Sequence, residues 1–220
     1  MKLSPKKFEQ LLLNNQLILS FIGMSNIGKT HLSKKLCEVG FTHINCDDLI
    51  ELKLEKKLKA VGYSGIKEVA RWMGQPFDER YFKNQKEYLS FENDVMKNIF
   101  KQKKNKNTII DTTGSVVHTG IQMCTNLKFF SLVIYIEATE KMKERMFKQY
   151  IKEPKPVVFG NMFNQKRNET NSESLKRCYR DLLDARSALY KKYADVIIPR
   201  DTIKINISAN KFIALIKNSL

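Results

Sequence analysis

Short runs of β-branched and aromatic residues alternate along this chain with stretches whose apolar positions recur every three or four residues. That order predicts an α/β fold with a parallel sheet. Leu17–Ile22 (LILSFI) reads as a first strand, apolar on both faces and therefore buried. Phe41–Asn45 is a short second strand running to Asp47 and Asp48, Asn107–Asp111 (NTIID) a third, Phe130–Ile136 (FSLVIYI) a fourth and Ala194–Ile198 (ADVII) a fifth. Helical periodicity fills the gaps at Lys29–Val39, Leu49–Leu58, Lys67–Met73, within Glu79–Phe100, and at Thr139–Tyr150, Ser172–Lys192 and Asn210–Leu220. Ser4-Pro5 opens one more helix inside residues 1–16.

Two stretches interrupt the pattern. Lys152–Ser174 is polar and turn-rich, with Pro154, Pro156, Gly160 and several Asn, and is expected to be a mobile lid outside the core. Gln102–Asn107 (QKKNKN) is a charged turn between a helix and a strand.

Composition narrows the class. With 220 residues, 42% of them hydrophobic, the chain can build one packed domain over residues 1–220. Its 39 Lys+Arg against 23 Asp+Glu leave a formal charge of +16. A nucleic-acid interface would need that charge gathered on one face. The lysines are instead spread through every segment, with no arginine-rich block and no interleaved aromatics, which favours a basic pocket for anionic ligands such as nucleotides. Cys37, Cys46, Cys124 and Cys178 have no paired C-x-x-C spacing and read as free thiols of a reducing compartment. No apolar run is long enough to span a membrane and no secretory cleavage pattern follows the first residues, so the expectation is a cytoplasmic protein without a membrane partner.

The strongest chemical signal follows the first strand. Gly23-Met-Ser-Asn-Ile-Gly28-Lys29-Thr30 matches G-x-x-x-x-G-K-[ST] in full. The glycines let successive N–H groups turn inward around a phosphate at the positive end of the next helix. Lys29 reaches the outer phosphates, and Thr30 offers a hydroxyl to Mg²⁺. The plain alternative, a glycine turn that happens to precede a lysine, lacks the strand and helix that flank this one. The nucleotide-binding stretch is thus Gly23, Ser25, Asn26, Ile27, Gly28, Lys29, Thr30 and His31, and the implied cofactors are ATP and Mg²⁺. The fold class becomes a P-loop three-layer sandwich with a five-stranded parallel sheet and helices on both faces. Thr108-Ile-Ile-Asp111 looks like a Walker-B strand, whose carboxylate emerges beside the phosphate loop; Thr30 and Asp111 are the candidate metal residues. A cap on the following turn is the other reading of Asp111.

From about Leu17 to Ile198 the chain resembles the shikimate kinases. Asn45-Cys46-Asp47-Asp48-Leu49-Ile50-Glu51 follows the family's Asp-x-Asp-x-x-Ile-Glu, with Asn45 at the magnesium-associated aspartate and Asp47 at the one that contacts the acceptor. Arg186-Ser-Ala-Leu-Tyr190 resembles its Arg-x-Pro-Leu-Tyr, whose arginine grips a carboxylate; spacing alone would make Arg186 a solvated helix charge. Lys152-Glu-Pro-Lys155-Pro156-Val-Val stands where the family lid has arginines before Pro-Leu-Leu, so Lys152 and Lys155 are either lid cations or part of a solvated loop. Of three family glycines only Gly114 remains, and Tyr88-Leu89-Ser90-Phe91-Glu92 carries Leu89 where an acceptor-binding arginine is usual. Asp111 is placed to supply the charge missing at Asn45.

The resemblance implies transfer of the ATP γ-phosphoryl group to a hydroxyl of a small-molecule acceptor. Lys29 and Asp47 would be catalytic, with Asp47 orienting or deprotonating the hydroxyl, and Asp47, Gly114 and Arg186 would hold the acceptor. Asp48 is expected to cap a helix beginning at Leu49. His31, His43 and His118 have no partner evident in the sequence and read as surface or structural. Shikimate leads as acceptor. A different polyol or nucleoside, and a nucleotide-binding regulator without kinase activity, stand as alternatives.

Overall fold

A computed structural model of the chain describes residues 3–60, 66–153 and 157–220. Five parallel strands form one sheet in the order β2-β3-β1-β4-β5: β1 (Ile18–Ile22), β2 (Thr42–Asn45), β3 (Thr108–Asp111), β4 (Leu132–Glu137) and β5 (Val196–Pro199). Helices cover both faces, which makes the expected three-layer sandwich. The three inner strands are almost wholly buried, as their continuous apolar runs require, while edge strands β2 and β5 stay partly exposed.

The helices are α1 (Pro5–Leu13), α2 (Lys29–Cys37), α3 (Cys46–Ala60), α4 (Ile66–Met73), α5 (Tyr81–Lys101), α6 (Ile121–Phe130), α7 (Glu140–Lys152), α8 (Asn171–Tyr193) and α9 (Ala209–Asn218). Ser4 caps α1 through its side chain, with Pro5 in the first turn. Phe8 of α1 is fully buried. Asn107, at the end of the charged turn, fastens α1 to the sheet: its Oδ1 accepts from Leu17 N at 2.9 Å, and its Nδ2 donates to Leu12 O at 2.8 Å.

Three departures from the sequence reading have physical causes. Helix α3 begins at Cys46 rather than Leu49, because the Asn45 side chain accepts from Asp47 N at 3.1 Å and caps it; Asp48 lies inside the first turn and is not the cap. Helix α6 was hidden by its Phe129-Phe130 end, which reads as strand. Met123, Cys124 and Leu127, spaced to bury one helical face, decide the matter, and β4 starts only at Leu132. Within the stretch expected as a lid, Val158 and Phe159 are core rather than excursion. Tyr81 Oη donates to Val157 O and accepts from Phe159 N, while the Gln85 amide pairs with both backbone groups of Gly160. Lys152 and Asn171–Ser174 belong to the flanking helices; Pro154, Lys155 and Pro156 lie outside the described residues. Among the described residues no helix is long and apolar enough to cross a membrane.

Candidate active site

The phosphate loop joins the carboxyl end of β1 to the start of α2. Gly23 has φ near 144°, and a Cβ there would stand 2.8 Å from the backbone oxygen of Ile136 in β4, so a side chain is excluded both by conformation and by space. Gly114, after β3, meets the loop from the other side, where a Cβ would lie 2.6 Å from Ser25 Oγ and 3.1 Å from Ser25 N. Gly114 therefore marks a close approach of the β3 turn to the phosphate loop. Arg200, beyond β5, braces the loop from outside by donating from Nε to Ile27 O at 3.0 Å and from Nη1 to Ile203 O at 2.7 Å.

Lys29 is buried at the first position of α2, and its Nζ donates to Gly23 O and Met24 O, each at 3.1 Å. Burial pushes its pKa down, against the pull of Asp111 and Asp47, which favour the charged form. Ser25, Asn26 and Thr30 reach a cleft of about 510 Å³. Its far wall is made by Asp47, Asp48 and Glu51 of α3, Tyr88 of α5, residues 113–115 and Arg186 of α8. Lys29, Thr30, Asp47, Gly114 and Arg186 therefore meet in one cavity. His31 is exposed on α2 and Lys152 at the end of α7, and neither lines it.

Asp47 keeps open side-chain surface, but that surface faces the cleft. The surrounding protein holds bulk water back and raises its carboxyl pKa, while Lys29 pulls it down again. Asp111 is buried at the carboxyl end of β3, directly in register with Asn45 of β2. The carboxylate that the resemblance puts at position 45 is thus absent from one strand and present on its paired neighbour. Asn45 meanwhile serves as the α3 cap.

Arg186 is 5% exposed, which removes the reading of a solvated helix charge. Its Nε donates to His118 Nε2 at 3.1 Å and its Nη2 to Val158 O at 2.8 Å, with Nη1 on the Gly114 side. His118, read from sequence as partnerless, is the group that aims this guanidinium. Burial first, and the adjacent Arg186 second, push its pKa down to about 3, so the ring is neutral and free to accept. Tyr190, one helical turn after Arg186, donates from its hydroxyl to Gly114 O and so fastens α8 to the same turn.

A second polar group was not assigned from sequence at all. Glu92 of α5 is 1% exposed and accepts from Thr113 Oγ1 and, at 2.7 Å, from Ser115 Oγ; Thr113 and Ser115 themselves line the cleft. The available signal was its helical phase, since Tyr81, Gln85, Tyr88, Glu92 and Ile99 share the buried face of α5. Burial pushes the Glu92 carboxyl up to about 7, opposed by the two hydroxyls. A carboxyl whose pKa rises on folding contributes most below its ordinary value of 4.5 and loses that contribution as pH climbs through 7, roughly 3 kcal/mol for a shift of this size. Glu92→Gln should therefore gain thermal stability relative to the parent protein between pH 5 and pH 8. Melting curves of both proteins across that range test this, and a constant difference would show that Glu92 does not titrate there.

No family model matches the chain, and no curated protein matches it in sequence. Solved structures do. The shikimate kinase from Acinetobacter baumannii in complex with shikimate is 19% identical with a TM-score of 0.58, over 95% of this chain and 94% of that one. The shikimate kinase from Bacteroides thetaiotaomicron is 13% identical with a TM-score of 0.56, over 92% and 97%. That from Aquifex aeolicus is 16% identical with a TM-score of 0.51, over 92% and 95%. At these identities the likeness establishes the fold, and the family resemblance read from the residues holds at that level along nearly the whole chain.

Proposed function

We propose that this protein transfers the γ-phosphoryl group of ATP to a hydroxyl of a small molecule, shikimate or a related polar hydroxy compound. The observation that carries the reading is the meeting of Lys29, Asp47 and Arg186 in one cleft from three separate elements. Phosphoryl transfer asks a protein mainly for positioning and charge neutralisation. The phosphate-loop N–H groups and Lys29 would cradle the phosphates, with Lys29 exchanging its two carbonyl partners for phosphate oxygens. Asp47 would accept the hydroxyl proton or orient the hydroxyl, a task helped by the raised pKa of its carboxyl. Arg186 would anchor the acceptor. The four cysteines are free thiols, which fits a reducing cytoplasmic compartment.

Thr30 and Asp111 would hold Mg²⁺. Among the described residues no group of three or more His, Cys, Asp or Glu side chains could bind a metal on its own. One hydroxyl and one carboxylate beside a phosphate loop suit an ion that takes its remaining ligands from phosphate and water, as Mg²⁺ prefers. Bound with the nucleotide, that ion neutralises phosphate charge.

A second acceptor class is favoured by the far wall. Leu89 packs partly buried against the core and adds no cation, while Asp48 and Glu51 stand beside Asp47. A neutral polyol or nucleoside meets less repulsion there than a carboxylate does. The test is ADP release from Mg-ATP with shikimate, with neutral polyols and with neither, each beside Lys29→Ala to expose contaminating kinases. Acceptor-dependent release that vanishes in the variant is expected, and the preferred acceptor identifies the class. ATP binding without acceptor-dependent release would identify a nucleotide-binding regulator instead.

A further inference from the structure

We infer that His43 is a positioning residue for the Asp111 carboxylate, and that it acts on the metal-bound nucleotide through that carboxylate; this rests on the reading of Asp111 as a Mg²⁺ residue. β2 and β3 pair in parallel with His43 opposite Ile109 and Asn45 opposite Asp111. Two residues apart on one strand, His43 and Asn45 point to the same face, and His43 reaches diagonally across to Asp111. Its Nε2 lies 3.3 Å from Asp111 Oδ2.

That contact is the only side-chain hydrogen bond to Asp111 among the described residues. The two nearest polar neighbours make their hydrogen bonds to other partners and none to Asp111: Asn45 Oδ1 accepts from Asp47 N, and Lys29 Nζ donates to the phosphate-loop carbonyls. A buried carboxylate has a broad χ2 well, so without a partner its oxygens are poorly fixed. The tautomer with hydrogen on Nε2 donates to Oδ2 and leaves Oδ1 without a side-chain partner. His43 also lines a groove between β2, α3 and α5, together with Leu49, Leu52 and Val95 among others. A strand position against such a groove is filled equally well by Val or Ile for packing, whereas only a donor can orient Asp111. Groups that hold a metal-binding carboxylate in place commonly change metal affinity 10- to 100-fold when removed.

The test compares the full-length parent with His43→Phe, which keeps the bulk and removes the donor, and His43→Gln, which keeps a donor. A fluorescent ADP analogue is titrated with Mg²⁺ and again with a chelator, and the ratio of the two affinities measures coupling between metal and nucleotide. His43→Phe should reduce that ratio about tenfold while leaving metal-free affinity unchanged, with His43→Gln within about threefold of the parent. Lys53→Gln, in the same groove, should change neither number. An unchanged ratio in His43→Phe overturns the inference, and so does an equal loss in His43→Phe and His43→Gln, which would mark a structural role. Asp111→Asn separates the two levels. If it too leaves the ratio unchanged, the metal reading of Asp111 falls; if it lowers the ratio and His43→Phe does not, only the role of His43 falls.

Discussion

Replacing Lys29 with methionine is expected to lower acceptor-dependent ADP release by at least about 100-fold, the scale on which single preorganised donors contribute to charge-stabilised transition states. The same change should shift the melting temperature by only a few degrees, because relief of the ammonium's desolvation opposes the loss of the donor to Gly23 O and Met24 O. Both expectations come from one geometry. Lys29 carries a buried ammonium whose charged state is disfavoured by desolvation and favoured by two backbone carbonyls and the fields of Asp111 and Asp47. Methionine keeps the stem that packs under the loop and deletes the ionic head, so the fold loses little while the phosphates lose their nearest fixed cation. Steady-state rates and thermal melts on the same preparation check the pair. A variant that keeps its rate would remove the phosphate loop from the chemistry, and one that loses its rate by unfolding would show only that Lys29 is structural.

Arg186→Lys is expected to raise the acceptor KM, with kcat/KM falling about 10- to 100-fold, the worth of a lost charge-assisted hydrogen bond. The charge survives this change; the geometry does not. Arg186 uses Nε for His118 and Nη2 for Val158 O, and so keeps Nη1 for the cleft. A lysine ammonium reaching the same place has no rigid fork with which to satisfy all three directions. Arg186→Ala should lose more and should also cost stability, because the carbonyl of the buried Val158 is left without its donor. His118→Ala should reproduce part of the KM effect by freeing the guanidinium to turn. Acceptor titrations at saturating ATP decide this, and an unchanged KM in Arg186→Lys would mean that Arg186 serves packing alone.

The parts of the site that could be read in the chain are those whose chemistry is local. A phosphate loop needs its glycines, lysine and threonine within eight consecutive positions, between a strand and a helix, and all of that is visible in residues 17–39. Strands β1 and β4 were equally plain because inner parallel strands must be apolar on both faces. What stayed hidden depends on contacts between distant segments. His118 and Arg186 are 68 residues apart, Glu92 and Thr113 are 21 apart, and Arg200 meets the phosphate loop across 173 residues. Nothing in the local spacing of a lone histidine or arginine reports such partners. Asn45 shows the opposite limit: against the pattern of the resembled family it is a lost carboxylate, while in the fold its side chain caps α3 by accepting from Asp47 N. The core character of Val158 and Phe159 was masked by the prolines and asparagines around them, since turn composition says where regular structure stops and not whether the segment is buried.

The most direct measurement follows the γ-phosphate itself. ATP labelled in that group would be incubated with the protein, Mg²⁺ and each acceptor in turn, and the labelled products separated and identified. Label on a hydroxyl of shikimate or of a polyol, absent with Lys29→Met, is the result predicted by a cleft that gathers Lys29, Asp47 and Arg186. Label that stays on ATP, or appears only as inorganic phosphate with every acceptor, would contradict it.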